Sequence, residues 1–286
     1  MKSQNYKISV VMPIYNTTEY LEEAIDSVIG QSIGFQNVQL IFVNNGADEK
    51  AHEICQKYKN DYPDNIEYIR LESNIGVSGA RNTGARYAIG KYVNFMDSDD
   101  RWTPDAYECL CSFFEEHYDE IDFVSGRIKY FEGRNDWHGL DWKFTENEEV
   151  VDIELNPEKV QLNVGVSLIK TEMLKNYKFD TRVRHAEDAK FLSEIVLSKL
   201  KYGLVKGAEF NYRVRKKGDS VLQNVHSSKD WYLGTTEYVY KHLMLLSEER
   251  YGRIVPYIQW LVMYELQWRL PVPLDEGLKD EDKARY

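Results

Sequence analysis

The stretch Tyr92-Val93-Asn94-Phe95-Met96-Asp97-Ser98-Asp99-Asp100 joins a short apolar run to three carboxylates, and reads as a strand ending in an acidic loop. Upstream of it, Gly76 to Ile89 reads as a helix bearing small residues, and Ile66 to Leu71 as a strand. Asp48 to Asn60 is polar and helix-compatible, and Val38 to Val43 is an apolar run closed by Asn44-Asn45-Gly46. Nearer the start, Leu21, Ala24, Ile25, Val28 and Ile29 recur with the spacing of one helical face, behind the β-branched run Ile8 to Met12 that Pro13 ends. Strand–helix alternation with near-continuously apolar strands predicts an α/β fold whose central sheet is mostly parallel and flanked by helices. Ligands of such sheets bind beyond the carboxyl ends of the strands, which is where the polar residues of this chain gather.

Downstream the pattern changes. Ile121 to Tyr130 is a further strand candidate, and Phe131 to Val150 has no clear period and reads as a loop or insertion. The apolar runs Val164 to Ile169 and Tyr202 to Val205 flank a predicted helix over 186–200, and the chain beyond Ser227 reads as mostly helical.

Composition narrows the function. The 286 residues carry a net charge of -11, which argues against a nucleic-acid binder, because contacts to phosphates need clustered Lys and Arg. No secretory leader is visible at the start, and no run reaches the roughly 18 apolar residues of a membrane span. A cytoplasmic protein is expected, with peripheral contact at the inner face of the membrane left open. The three cysteines, Cys55, Cys109 and Cys111, lack metal-site or disulfide spacing and read as idle thiols in a reducing compartment.

The acidic loop carries the chemistry. Asp97 and Asp99 stand two apart at a strand end, so in extended geometry both can face one way. Clustered carboxylates repel unless a cation sits between them, and an all-oxygen donor set favours Mg²⁺ or Mn²⁺. Read blandly, the same residues cap a helix beginning near Thr103-Pro104.

Four segments occur in a telling order: Val10-Val11-Met12-Pro13-Ile14-Tyr15-Asn16, Val43-Asn44-Asn45-Gly46, Asn74-Ile75-Gly76-Val77-Ser78-Gly79-Ala80-Arg81-Asn82 and Asp97-Ser98-Asp99-Asp100. In that order and spacing the chain resembles the inverting family 2 glycosyltransferases, of bacterial cell-surface polysaccharide and teichoic-acid type, with the GT-A fold. The resemblance is dense over about the first 105 residues and sparser at Glu187-Asp188 and from Tyr212-Arg213 to Ser220. It implies a nucleotide-sugar-binding half over 1–125, an acceptor half over 126–225, and a helical C-terminal segment over 226–286 that leads on to a further domain in some relatives.

The resemblance also implies roles. Pro13 and the loop bearing Tyr15 match the shelf under the base, and Asn74 and Arg81 match nucleotide contacts. Asp97, with Ser98 beside it, matches the face turned to the sugar and ribose, Asp99 the metal ligand for Mn²⁺ or Mg²⁺, and Asp188 the catalytic base, with Glu187 orienting the acceptor. Arg213, Lys217 and Ser220 belong to a basic cluster, Arg213, Arg215, Lys216 and Lys217, matching the segment that closes over the diphosphate. The family often has a His or Arg before the Ser; Lys217 is the nearest candidate here. Many relatives carry Asp-Asp-Gly-Ser where this chain has Asn44-Asn45-Gly46-Ala47. An Asn amide both donates and accepts, so Asn45 suits uracil or cytosine; a UDP-sugar is expected on family frequency. The implied acceptor is a hydroxyl of a cell-surface glycan or lipid-linked precursor, and the C-terminal helices are a candidate surface for self-association. The rival readings are an inactive sugar- or partner-binding module and a nucleotidyltransferase; the Gly-rich basic loop of the latter is missing after Met12.

Overall fold

The computed structural model describes residues 5–145, 148–216 and 229–270. The first half alternates as expected: β1 (Ile8–Ile14), α1 (Leu21–Ile29), β2 (Val38–Asn44), α2 (Glu49–Asp61), β3 (Ile66–Arg70), α3 (Val77–Ala85) and β4 (Tyr92–Phe95). Every residue of β1, β2 and β4 is buried, which is why these segments read as unbroken apolar runs. The Asp48 carboxylate caps α2 by accepting from the Ala51 N–H at 2.8 Å. Pro13 lies inside β1 without cost to the ladder, because β4 pairs with β1 only as far as Val11↔Phe95.

The chain continues through β5 (Arg101–Trp102), α4 (Ala106–Glu116), β6 (Phe123–Glu132), β7 (Glu149–Asp152), β8 (Ser167–Lys170), α5 (Glu187–Val196) and β9 (Lys201–Val214). Two π-helical turns, Asp230–Gly234 and Thr236–Tyr240, run into α6 (Lys241–Tyr251), followed by α7 (Pro256–Leu266). The nine strands among the described residues form one sheet, ordered β3-β2-β1-β4-β8-β6-β9-β5, with β7 also on β9. β3, β2, β1 and β4 run parallel; β8 is inserted antiparallel between β4 and β6, and β6 and β9 are again parallel.

The side chains of the sheet point into two cores. On one face Met12 and Leu40 pack with residues of α1, α2 and α4, namely Ile25, Cys55 and Leu110. On the other, Val11 and Phe95 meet α3 and α5 through Ala80 and Phe191, and α6 and α7 through Leu243 and Leu261. The three cysteines are free thiols inside or beside the first core. Among the described residues no helix is long and apolar enough to cross a membrane.

Two readings need correction. Phe131 to Val150 is not a structureless loop: β6 reaches Glu132, Lys129 bridges to Trp137, and β7 pairs along β9. Likewise β9 runs far past Val205, because its second half is apolar on one face only and carries Lys206, Glu209, Asn211 and Arg213.

Candidate active site

The loops that follow β1 and β4 and the N-terminus of α5 converge on two arginines. Arg81, on α3, leaves only 3% of its side chain exposed. Its Nη2 donates to Asp97 Oδ1 at 3.0 Å, and its Nη1 donates to Asp188 Oδ1 at 2.5 Å and Glu187 Oε1 at 3.3 Å. Thus the acid expected to face the donor and the expected base share one guanidinium. Arg81, expected at the nucleotide, instead lies beneath these three carboxylates as their counter-ion.

One positive charge faces three carboxyl groups, two of them largely enclosed. Burial raises the Glu187 carboxyl to about 8, with the Asp188 charge adding to the effect. Burial also raises Asp188, against the pull of Arg81. Burial opposes the charge of Arg81 itself, but Asp188, Asp97 and Glu187 outweigh it and hold its proton more firmly than usual. Asp188 Oδ2 also accepts the Val164 N–H at 3.2 Å, which fixes the carboxylate against the segment preceding β8. Ala186, in front of the pair, takes the left-handed conformation with φ 61°, so the chain turns sharply into α5 and brings both acids to its first turn.

The second arginine is Arg215, just past β9. Its Nε and Nη2 donate to Asp99 Oδ2 at 2.8 and 2.6 Å, and its Nη1 reaches the Asn16 carbonyl at 3.3 Å. Burial raises Asp99 and Arg215 lowers it. The next carboxylate, Asp100, accepts the Arg213 N–H at 2.7 Å, and burial holds it well above the usual range. Asp97 is the most open of the loop's acids, with 40% of its side chain exposed.

Several expected contacts are redistributed. Arg213 is not placed to reach a diphosphate: its Nε donates to the Asp99 carbonyl at 2.7 Å, and its Nη1 and Nη2 go to Glu132 and Glu23. Its guanidinium also lies between the rings of Tyr20 and Phe131. Ser98 is buried and shares a 2.7 Å hydrogen bond with Thr17, so it pins the acidic loop to the loop after β1. Pro13 is enclosed in β1, and the exposed ring of that loop is Tyr15, 43% accessible.

Asn45 is not free to read a base edge. Its Nδ2 donates to Asn74 Oδ1 at 3.0 Å and to the Gly76 carbonyl at 3.3 Å, and its Oδ1 accepts the Ile75 N–H at 2.9 Å. Asn74 in turn accepts the Gly76 N–H at 2.8 Å. Both amides therefore clip the approach to α3 to the end of β2. A 470 Å³ cleft lies alongside, lined by Asn44, Gly46, Ala47, Arg70, Leu71 and Glu72, with room for a planar base. Arg70, Leu71 and Glu72 lie at the end of β3 and just beyond it and carry no motif of their own; the rule that ligands sit beyond strand ends was the one signal that points to them. Lys217 and Ser220 lie outside the described residues. A second cavity, lined by His138, Lys143, Gln161 and Asn163 among others, measures 30 Å³. That is room for about one water and not for a sugar.

Comparison with known proteins bears on the family and the fold. Residues 9–177 match the family model described as Glycosyl transferase family 2, a match that stops short of Glu187 and Asp188. Minor teichoic acid biosynthesis protein GgaB of Bacillus subtilis (strain 168) is 41% identical over 282 residues, 96% of this chain and 31% of that protein. The chain thus spans about a third of that relative's length. Among solved structures, S. aureus TarS 1–349 in complex with UDP-GlcNAc superposes with a TM-score of 0.73 at 21% identity, covering 97% of this chain and 77% of that one. Mannosyltransferase PcManGT from Pyrobaculum calidifontis, in complex with GDP-Man and Mn²⁺, gives 0.65 at 18% identity, covering 94% and 73%. These structures show the GT-A fold.

Proposed function

Because the chain belongs to glycosyl transferase family 2, we propose that it transfers a sugar from a UDP-linked donor to a hydroxyl of a teichoic-acid-type cell-surface glycan or its precursor, with inversion at the anomeric carbon. The observation that carries the reading is the shared guanidinium: Arg81 holds Asp97 and Asp188 within hydrogen-bonding reach of one group. A donor sugar against Asp97 then presents its anomeric carbon near the base. Asp188 removes the acceptor hydroxyl proton as that oxygen attacks the anomeric carbon and UDP leaves from the opposite face, and this single displacement inverts the centre. The bound UDP-GlcNAc of TarS and the name of GgaB support the donor and acceptor classes.

The residues fit a divalent cation. Asp99 is a mostly enclosed carboxylate already faced by a positive group, and its neighbours supply oxygen rather than Cys or His ligands. Among the described residues no three or more His, Cys, Asp or Glu side chains are arranged to enclose a metal, so the donor's diphosphate and water would complete the shell. Mn²⁺ or Mg²⁺ suits such a set; when bound, it neutralises charge on the departing diphosphate. PcManGT, with its Mn²⁺, supports the choice.

The test is a screen of UDP-, GDP- and CDP-linked sugars for Mn²⁺-dependent release of nucleoside diphosphate, with Asp99→Ala as control. Release of UDP from one donor, lost in the variant, is the expected result. Release of GDP or CDP would overturn the uracil assignment, and no release together with no nucleotide binding by calorimetry would overturn the enzyme reading.

A further inference from the structure

The cation-binding carboxylate of this site already has a cation. Asp99 receives two hydrogen bonds from Arg215, both on Oδ2, and its side chain is only 17% exposed, so that oxygen already faces a positive group. Arg215 is itself tied across the site. Its Nη1 reaches the Asn16 carbonyl in the loop after β1, and its guanidinium lies 5.4 Å from the Tyr20 ring centre. The neighbouring Arg213 cannot take this part, because its donors are spent on the Asp99 carbonyl oxygen, Glu23 and Glu132.

A bare divalent ion that takes Asp99 Oδ2 must expel a guanidinium that donates to that oxygen twice and leave it without its counter-ion, which offsets much of the ion's own attraction. A metal bound to a nucleoside diphosphate meets a different balance. It brings an anion to which a displaced arginine can donate in the same fork geometry. Resting on the metal-dependent reading above, we propose that Arg215 is a place-holder for the metal: it occupies Asp99 until a metal–diphosphate unit displaces it, and then turns onto the diphosphate. Metal and nucleotide consequently bind as a unit, each raising the affinity of the other. The site discriminates against free cations by a residue of its own.

The experiment is calorimetric titration of Mn²⁺ into the protein with and without UDP, comparing wild type, Arg215→Gln, Arg215→Lys and Lys175→Gln. Lys175 is exposed, lies outside the site and controls for loss of one positive charge. In Arg215→Gln, Mn²⁺ alone binds about ten-fold tighter than in wild type, and the mutual enhancement of Mn²⁺ and UDP falls by a similar factor. Arg215→Lys, which keeps the charge but loses the fork, shifts in the same direction by a smaller factor. Lys175→Gln leaves Mn²⁺ affinity within about two-fold, as an exposed charge does in high dielectric. Equal tightening in Lys175→Gln and Arg215→Gln would overturn the proposal, since general charge would then explain it. Unchanged Mn²⁺ affinity in both Arg215 variants, with UDP-dependent Mn²⁺ binding intact, would also overturn it. No Mn²⁺ binding by any of the four proteins, even with UDP, would instead overturn the metal-dependent reading on which it rests.

Discussion

Arg81 serves three carboxylates with one charge, and the two acids at the start of α5 divide that arrangement unequally. Burial lifts Glu187 to about 8, so at neutral pH its carboxyl is mostly protonated, while Asp188 makes the shorter bond to Arg81. Glu187→Gln should therefore keep kcat within a few-fold, whereas Asp188→Asn should lower it by about 10²- to 10⁴-fold with UDP affinity retained. A base works only when deprotonated, and Asp188 is raised above its ordinary range. The acid limb of kcat/KM against pH should accordingly lie above the usual Asp value of about 3.9, with the rate falling as pH falls through it. A limb at or below that value would count against Asp188 as the base.

Asp97 and Asp99 stand out in the sequence because they follow a plain strand, whereas Asp188, after an irregular stretch, is singled out only by the family resemblance. What the arginines and amides touch is not legible there. Arg213 and Arg215 are two apart and so share a side of an extended chain, but only the fold shows that Glu23 and Glu132 absorb the first and leave the second to Asp99. Asn45 likewise has the right groups for a base edge, yet Asn74 and Gly76 take both its amide hydrogens and Ile75 occupies one side of its oxygen.

Among the elements, α3 is placed by a residue with no side chain. A Cβ at Gly84 would stand 2.4 Å from Val11 Cγ1 and 2.9 Å from Val43 Cγ2, so the helix rests directly on β1 and β2. Gly84 lies one turn beyond Arg81 on the same helix. Gly84→Ala should force α3 off the sheet, at a cost of about 1–3 kcal/mol in urea unfolding, and should reduce activity by moving Arg81 from its carboxylates. Wild-type stability in that variant would show that α3 does not pack as described. The first four strands were readable because burial, complete in β1, β2 and β4, leaves mostly apolar residues. The long β9 was not, because one of its faces turns polar after Val205. β5, two residues long, offers no period at all.

For the whole molecule, the C-terminal helices complete the second core. Tyr257, Ile258, Leu261 and Leu243 are fully buried there with Leu192 and Ile195 of α5. Polar ties join the same parts: the Tyr257 hydroxyl accepts the Gln161 N–H at 3.0 Å, and His242 lies 2.7 Å from Glu194. A chain ending at residue 228 should lose its cooperative thermal transition and bind a hydrophobic dye such as ANS, because the face of α5 opposite the sheet would meet water. A truncated chain that melts like the full one would refute that dependence. The helical character of this region was legible in its sequence; its place against the helix that carries Asp188 was not, since apolar periodicity names a buried face without naming its partner.

The antiparallel insertion of β8 has a consequence for how the protein comes to exist. Tyr92 pairs with Lys170, so the outer edge of β4 finds its neighbour only after dozens of further residues have left the ribosome. The stretch with the densest motifs is synthesised first, yet until β8 emerges it carries an unpaired strand edge, open to wrong pairing with other chains. Such distant pairing also makes for slow folding. The β4 edge is exposed to mispairing until β8 arrives to cover it.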